Sequence, residues 1–340
     1  MAYMSPAHAA AFASDIVEEK QCDLSREAHL PRAFNEDGGK FDYVFNFAAE
    51  TKHGQTDDVY QQKIVDVAAL CGRAAAAMGV RRFVHVSTAH VYKSQAKRPA
   101  GEGAPLEPWT TQAAFSLKAE EALRGIAGLP LVVVRPAIVY GPSDVEGLMP
   151  RCVCAAVYRY TGEKMSFLWD ARMAINTVHV ADVVAAVWHL RAAGDDGAVY
   201  NLADKNDTDQ GKVNAILGEL FGIRTGFQGK IVSNLARIKM DMVVGAANEQ
   251  HLAPWMDLLR AYRISNTPLS PFIDKELLFH NHLYVDGRAV EATGFAYKHP
   301  TLEPAELAAV IRDYVARGLF PPVVPGWGDG GGGGGKAEEG

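Results

Sequence analysis

The first half of the 340-residue chain alternates short apolar runs with longer stretches of helical periodicity. Phe41–Phe47 is a β-rich run that closes on the small residues Ala48 and Ala49. Asp57 or Asp58 can cap an Ala- and Val-rich helix that runs to Met78 and stops at Gly79. Arg82–Ser87 predicts a second strand, and Thr110 can cap a helix through Arg124, ended by Gly125 and Gly128. Leu131-Val-Val-Val134 is apolar at every position, the pattern of a parallel strand buried on both faces. Strands separated by helices in this way predict an α/β fold with a doubly wound parallel sheet.

The second half is less regular. Asn176–His179 precedes a helix from Asp182 to Ala193, Ala198–Asn201 is a short strand, and Gln210–Phe221 is a helix stopped by Gly222. Residues 223–300 mix aromatics, prolines and polar residues without clear periodicity, which predicts an irregular cap over an active site. From Gly326 the chain becomes glycine-rich, with no foldable content. The pattern divides the chain into a sheet-forming domain at 1–175, a mixed segment at 176–325 that completes the sheet and forms the cap, and a flexible tail at 326–340.

Composition narrows the partners. Apolar residues make up 48% and charged residues 22%, which excludes a disordered or fibrous chain. The net charge of -6 argues against nucleic acid as a partner. No stretch approaches the ~20 apolar residues of a membrane-spanning helix, so no membrane partner is expected. The four cysteines are too few for a disulfide framework and lack the paired spacing of a metal site. Cys152 and Cys154 are expected on a core-facing helix. The N-terminus has neither the basic nor the apolar region of a secretory signal. These features together predict a cytoplasmic protein.

Five segments carry the chemistry: Val44-Phe-Asn-Phe-Ala-Ala49, Phe83-Val-His-Val-Ser-Thr-Ala-His-Val-Tyr92, Arg135-Pro-Ala-Ile-Val-Tyr-Gly-Pro142, Asn176–Val183 and Thr293–Thr301. In order and spacing the chain resembles the extended, or atypical, short-chain dehydrogenase/reductases of the NAD-dependent epimerase/dehydratase group. The resemblance implies a Rossmann-type fold with NAD or NADP as cofactor. It implies that Phe47, Ala48 and Ala49 border the cofactor's adenosine ribose and that Asp23 and Leu24 contact adenine. Pro136 and Ile138 lie in the loop beside the nicotinamide. Thr88 matches the hydroxyl that polarises the substrate oxygen, and Lys118 matches the lysine that holds the nicotinamide ribose.

Two departures stand against that pattern. The family's general acid/base is a Tyr four residues before the lysine, a spacing that places both on one helix face. Here Ala114 occupies the position. His90 is the alternative ionisable group; if the strand continues past Thr88, the two-residue spacing puts both on one face. The second departure is at the front. Asp15–Leu24 resembles the family's third strand, yet only about 14 residues precede it where a β-α-β unit needs roughly 30. The first glycine of any kind is Gly38, so the Gly-rich phosphate turn has no counterpart. The expected sheet lacks its first β-α-β unit, residues 1–14 pack poorly, and cofactor binding is weak or absent.

Two functions follow from the resemblance. One is an NAD(P)-dependent epimerase, dehydratase or reductase, impaired in this form, acting on a sugar nucleotide or related small-molecule carbonyl substrate. The other is a catalytically inactive relative, a pseudoenzyme serving as a structural or cofactor-sensing subunit. A homo-oligomer or larger assembly is compatible with both.

Overall fold

In the computed structural model, which describes residues 6–34 and 39–327, the apolar run at Leu131 becomes the interior of a parallel sheet. Its strands are β1 (Tyr43–Asn46), β2 (Arg82–Val86), β3 (Leu131–Pro136) and β7 (Val199–Leu202), hydrogen-bonded in the order β1-β2-β3-β7. Alternation sends β3 side chains to opposite faces. Leu131 and Val133 join Phe83 in a core with helices α4 (Val67–Met78) and α5 (Thr111–Arg124). Val132 and Val134 join Val84 in a second core under α7 (Val180–Ala193). Helices thus cover both faces, and each fully buried Val or Leu contributes about 1.5–3 kcal/mol relative to exposure.

The helix foreseen from Asp57 to Met78 is present but not uniform. Helix α3 (Asp57–Tyr60) passes through a π-helical stretch at Gln61–Asp66 into α4. Gly79 ends it with φ 71°, a left-handed conformation that glycine enters without a Cβ penalty. At α5 the Thr110 hydroxyl accepts from the Ala113 N–H at 3.1 Å, and Thr111 donates through both its N–H and its hydroxyl to Glu276.

Asp15–Leu24 is not a strand. A strand needs a ladder, and among the described residues no strand pairs with the outer side of β1. Asp23 instead accepts the N–H and hydroxyl of Ser25, turning the chain toward α2 (Leu30–Phe34). Leu24 and Phe34 pack against the α4–α5 core. Helix α1 (Pro6–Phe12) buries none of its residues, and residues 1–5 lie outside the described part.

Beside the open edge, α7 carries Val184 and Trp188, 55% and 56% exposed. Trp188 lies 5.8 Å from the Phe45 ring. Arg81 and Arg191 lie over Tyr43 at 5.3 and 5.6 Å, and Arg191 also covers Trp188 at 3.8 Å. A small parallel pair, β4 (Ile138–Tyr140) with β6 (Thr177–His179), leads into α7. Gly141, at φ 127°, follows β4 where a Cβ would meet Val180 at 2.8 Å and His179 at 2.9 Å.

The sequence divided the chain after residues 175 and 325. The structure has two interleaved units, one from Met1–Ser143, Arg172–Asp209 and Asp274–Leu302, the other from Asp144–Ala171, Gln210–Ile273 and Glu303–Gly340. The second contains α6 (Met149–Thr161), β5 (Met165–Phe167), α8 (Gln210–Phe221), β8 (Thr225–Phe227) and α11 (Pro304–Ala316). Cys152 and Cys154 are buried on α6, and burial pushes the Cys154 thiol up to about 12. Asp144 accepts the N–H groups of Gly147, Leu148 and Met149 at the start of α6. Its own burial pushes it up to about 6 against those bonds.

The stretch 223–300 is more regular than its sequence suggests. It holds α9 (Lys230–Ile238) and the 22-residue α10 (Met240–Ala261). The buried row of α10 follows helical spacing at Met240, Val244, Asn248, His251, Trp255 and Leu258. Two members of that row are polar, Met242 and Met256 lie exposed off it, and Pro254 interrupts it, so the apolar period is masked. Asn248 is satisfied by both backbone groups of Ile273, and His251 by the Tyr158 hydroxyl at 3.1 Å. No described helix is long and apolar enough to cross a membrane. Of the tail foreseen at 326–340, residues 328 onward lie outside the described part.

Candidate functional site

Parallel α/β sheets gather ligands outside the carboxyl ends of their strands, because the loops there can diverge without disturbing the ladder. In the first unit, β1, β2 and β3 end in Asn46, Ser87–Thr88 and Pro136, with α5 alongside. The sequence-predicted residues fall mainly around this crest. Phe47 is 52% exposed, Ala48 is half-buried and Ala49 is exposed. Pro136 is buried at the end of β3, and Ile138 opens β4. Asp23 and Leu24 are not drawn to the strand ends: Asp23 faces Ser25, Arg26 and Lys63. Its hydrogen bonds from Ser25 hold the carboxyl below its ordinary range.

Under the crest lies a connected buried network. The Glu120 carboxylate takes Arg135 in a two-pronged pair at 2.9 and 2.6 Å and accepts the Ser87 hydroxyl at 2.6 Å. Arg135 donates on to the Tyr92 hydroxyl, which donates to Asn201 at 2.8 Å. Burial pulls the Arg135 guanidinium down, but the hydrogen bonds and charge of Glu120 outweigh it and hold it above its ordinary value. Such forked charge-assisted bonds are directional, so this network fixes the strand ends relative to α5. It also sets the position of Thr88, the residue after Ser87.

At the end of β1, Asn46 and His85 share a hydrogen bond of 3.1 Å, and the Asn46 side-chain Oδ1 accepts the Ala48 N–H. Burial pushes His85 down to about 4, with the Glu120 charge pulling the other way. The loop after β1 is tied down at two points. Gln112 donates to the Glu50 carbonyl at 2.9 Å, and the Tyr60 hydroxyl donates to the Lys52 carbonyl at 2.9 Å.

Thr88 and His90 meet directly, Oγ1 to Nδ1, at 2.9 Å. They do so by a different route from strand alternation. The strand ends at Val86, and Ala89–Val91 is a 3-10 turn that Thr88 caps by accepting the His90 N–H at 3.3 Å. The turn folds the ring back onto the hydroxyl. Trp109 meets the His90 ring edge-on at 4.7 Å. Burial, and secondarily His53, pushes His90 down to about 4. Lys118 is exposed on α5, its ammonium 4.0 Å from the Phe115 ring centre. Ala114 is half-buried one turn earlier.

Sequence reasoning did not single out His53, Trp109, Glu120 or Asn46. Glu120 had a signal, since it lies on α5 two residues beyond Lys118 and a buried carboxylate requires a partner. His53 and Trp109 had none, because only the fold brings Trp109 onto the His90 ring and His53 within electrostatic reach of it.

The sequence model of the family described as "NAD dependent epimerase/dehydratase family" matches residues 5–203. A mouse (Mus musculus) dTDP-D-glucose 4,6-dehydratase is 28% identical over 171 residues, 48% of this chain and 47% of that protein. An Arabidopsis thaliana trifunctional enzyme, described as UDP-glucose 4,6-dehydratase, UDP-4-keto-6-deoxy-D-glucose 3,5-epimerase and UDP-4-keto-L-rhamnose reductase, is 25% identical over 204 residues. That match covers 57% of this chain and 30% of the enzyme. The chain spans less than half the length of these curated relatives. Among solved structures, the Streptomyces venezuelae dTDP-glucose 4,6-dehydratase DesIV with NAD bound aligns with a TM-score of 0.66 at 20% identity. The alignment covers 93% of this chain and 85% of that one, a likeness of Rossmann-type fold.

Proposed function

The chain belongs to the NAD dependent epimerase/dehydratase family, and from that membership we propose that it binds a sugar nucleotide and acts at an oxygen-bearing carbon of the sugar. The relatives described as dehydratases of UDP-glucose and dTDP-glucose support the substrate class. The observation that carries the reading is Thr88, a hydroxyl held at the carboxyl end of β2 by the Ser87–Glu120–Arg135 network beneath it. Calorimetry on the 340-residue chain checks it. Saturable binding of UDP-glucose or dTDP-glucose is the expected result, and no heat with either at millimolar concentration removes the reading.

A nicotinamide dinucleotide meets the described residues on one side only. Ala48 and Ala49 leave the backbone after β1 open to a ribose, Pro136 and Ile138 border β3 and β4 where a nicotinamide would lie, and Lys118 is exposed for ribose hydroxyls. The pyrophosphate fares differently. It needs a glycine turn into a helix N-terminus, where backbone N–H groups converge on the charge. Among the described residues no strand-to-helix turn carries a Gly-x-x-Gly-x-x-Gly run, and none supplies a strand on the outer side of β1. The described residues therefore do not fit that part of the cofactor. NAD and NADP are expected to bind this chain with a dissociation constant weaker than ~1 μM, about -8 kcal/mol.

Ala114 favours a second reading, that of a catalytically inactive member serving as a structural or cofactor-sensing subunit. Alanine has no proton to exchange, and a positioned acid/base is worth on the order of 10²–10⁴-fold. Ala114→Tyr separates the readings. A gain in dehydratase or epimerase turnover marks a site that has lost its tyrosine, whereas no gain despite bound sugar nucleotide supports the inactive reading.

A further inference from the structure

Three groups at the crest have no place in the tyrosine–lysine pattern: the His90 ring, the His53 ring and one lone pair of Thr88. A hydroxyl has one proton to donate and two lone pairs. On Thr88 one lone pair takes the His90 N–H, and the hydroxyl shares the 2.9 Å bond with His90 Nδ1. Burial holds the His90 ring neutral at pH 7. With its single proton on Nε2, Nδ1 accepts from the Thr88 O–H, and the second Thr88 lone pair stays open for an incoming hydroxyl. Trp109 fixes the ring edge-on, so the ring cannot swing away without losing that contact. His53 adds a second, independent observation: its Nδ1 is buried without a hydrogen-bond partner. Among the described residues His53 is also the titratable group that acts on His90.

We propose that Thr88 and His90 form a proton relay for a hydroxyl of the sugar-nucleotide substrate. The proposal rests on the sugar-nucleotide reading above and names the residues that handle the proton in the absence of the tyrosine. As the substrate O–H bond breaks toward Thr88 Oγ1, the Thr88 O–H bond breaks toward His90 Nδ1. Two protons each move one place, so that one net proton passes from the substrate hydroxyl to His90, leaving an alkoxide and an imidazolium. The partial burial that penalises a lone imidazolium also strengthens its attraction to the new negative oxygen across Thr88.

Ring-selective ¹⁵N NMR of the 340-residue chain, free and with UDP-glucose, tests this alongside calorimetry. In the free protein His90 Nδ1 should carry the shift of a hydrogen-bond acceptor, and Thr88→Val should move it to the unbonded value. UDP-glucose should move the His90 signal in the wild type and leave it in place in Thr88→Val. His53→Gln should raise the midpoint of the His90 titration. Thr88→Val should weaken UDP-glucose binding roughly five- to tenfold, the effect of one lost hydrogen bond. A His90 signal indifferent to Thr88→Val, or unmoved by UDP-glucose that calorimetry shows to be bound, overturns the relay and leaves the sugar-nucleotide reading standing. If neither UDP-glucose nor dTDP-glucose binds, the substrate reading fails and takes the relay with it. The Thr88-dependent signal in the free protein tells that result apart from a pair that never formed.

Discussion

Strands β3 and β1 lie in one sheet with only β2 between them, but their surroundings have little in common. Strand β3 has a neighbour on each side and a packed helix layer on each face, and its six residues are all buried. Among the described residues strand β1 has only β2 beside it, and of its four residues only Asn46 is buried. The polar groups at their ends differ in the same sense. Arg135 of β3 is locked to Glu120 by two bonds, whereas Asn46 shares a single bond with His85, whose other ring nitrogen is buried without a partner. An interior strand is specified by its own residues. An edge strand takes its stability from whatever covers it.

The sharpest way to break the comparison is Glu120→Gln. It leaves the buried Arg135 charge without its counter-ion, and removing one member of a buried pair costs about 3–5 kcal/mol. Urea denaturation measures it, and a loss below about 1 kcal/mol would erase the distinction between the two strands.

The pH profile comes next. His85 and His90 fall from an ordinary 6.5 to about 4 in the folded protein, so the unfolded chain binds more protons between those values. Stability should fall as pH drops from 6.5 and level off below 4, by up to about 3 kcal/mol per histidine. Asp144 has the opposite sign. Raised from 3.8 to about 6, it favours the folded state at low pH, and its contribution is lost as pH rises through that window. Two histidines outweigh one carboxyl, so the net slope between pH 4 and 6.5 should be positive. Thermal unfolding against pH reads it, and His85→Gln should flatten the curve.

A paired truncation sharpens the comparison at smaller scale. Val133→Ala, fully buried on β3, should cost about 2 kcal/mol, and Val44→Ala, half-buried on β1, about 1 kcal/mol or less. Equal losses would mean that the edge is packed as firmly as the centre.

The same contrast explains what could be read from the sequence. Val84, Val132 and Val134 announce an interior sheet because each position reports its own burial. Asp15–Leu24 misled for the complementary reason. Its strand-like composition has no described strand to pair with, and the Asp23–Ser25 bonds prevail. Helix α10 was hidden because Asn248 and His251 occupy its buried row and find their partners at Ile273 and Tyr158, far along the chain. At the strand ends, Thr88, Lys118 and Arg135 stand in local motifs whose order along the chain is visible without the fold. His53 and Trp109 reach His90 from loops about 37 and 19 positions away, and only the fold brings such residues together.

The arginines over Tyr43 give the bare side of β1 a colloidal consequence. An unpaired strand is a template on which a neighbouring molecule can extend the sheet, the first step of aggregation. With Arg81 and Arg191 stacked on Tyr43 at this edge and only Arg81 paired among the described residues, to Asp42 at 4.0 Å, two molecules meeting β1 to β1 would bring a net excess of positive charge together. That repulsion acts over roughly 10 Å at 0.1 M salt and contracts to about 3 Å at 1 M. Concentrated solutions should therefore stay clear at low ionic strength and turn turbid as salt is added, the reverse of ordinary salting-in.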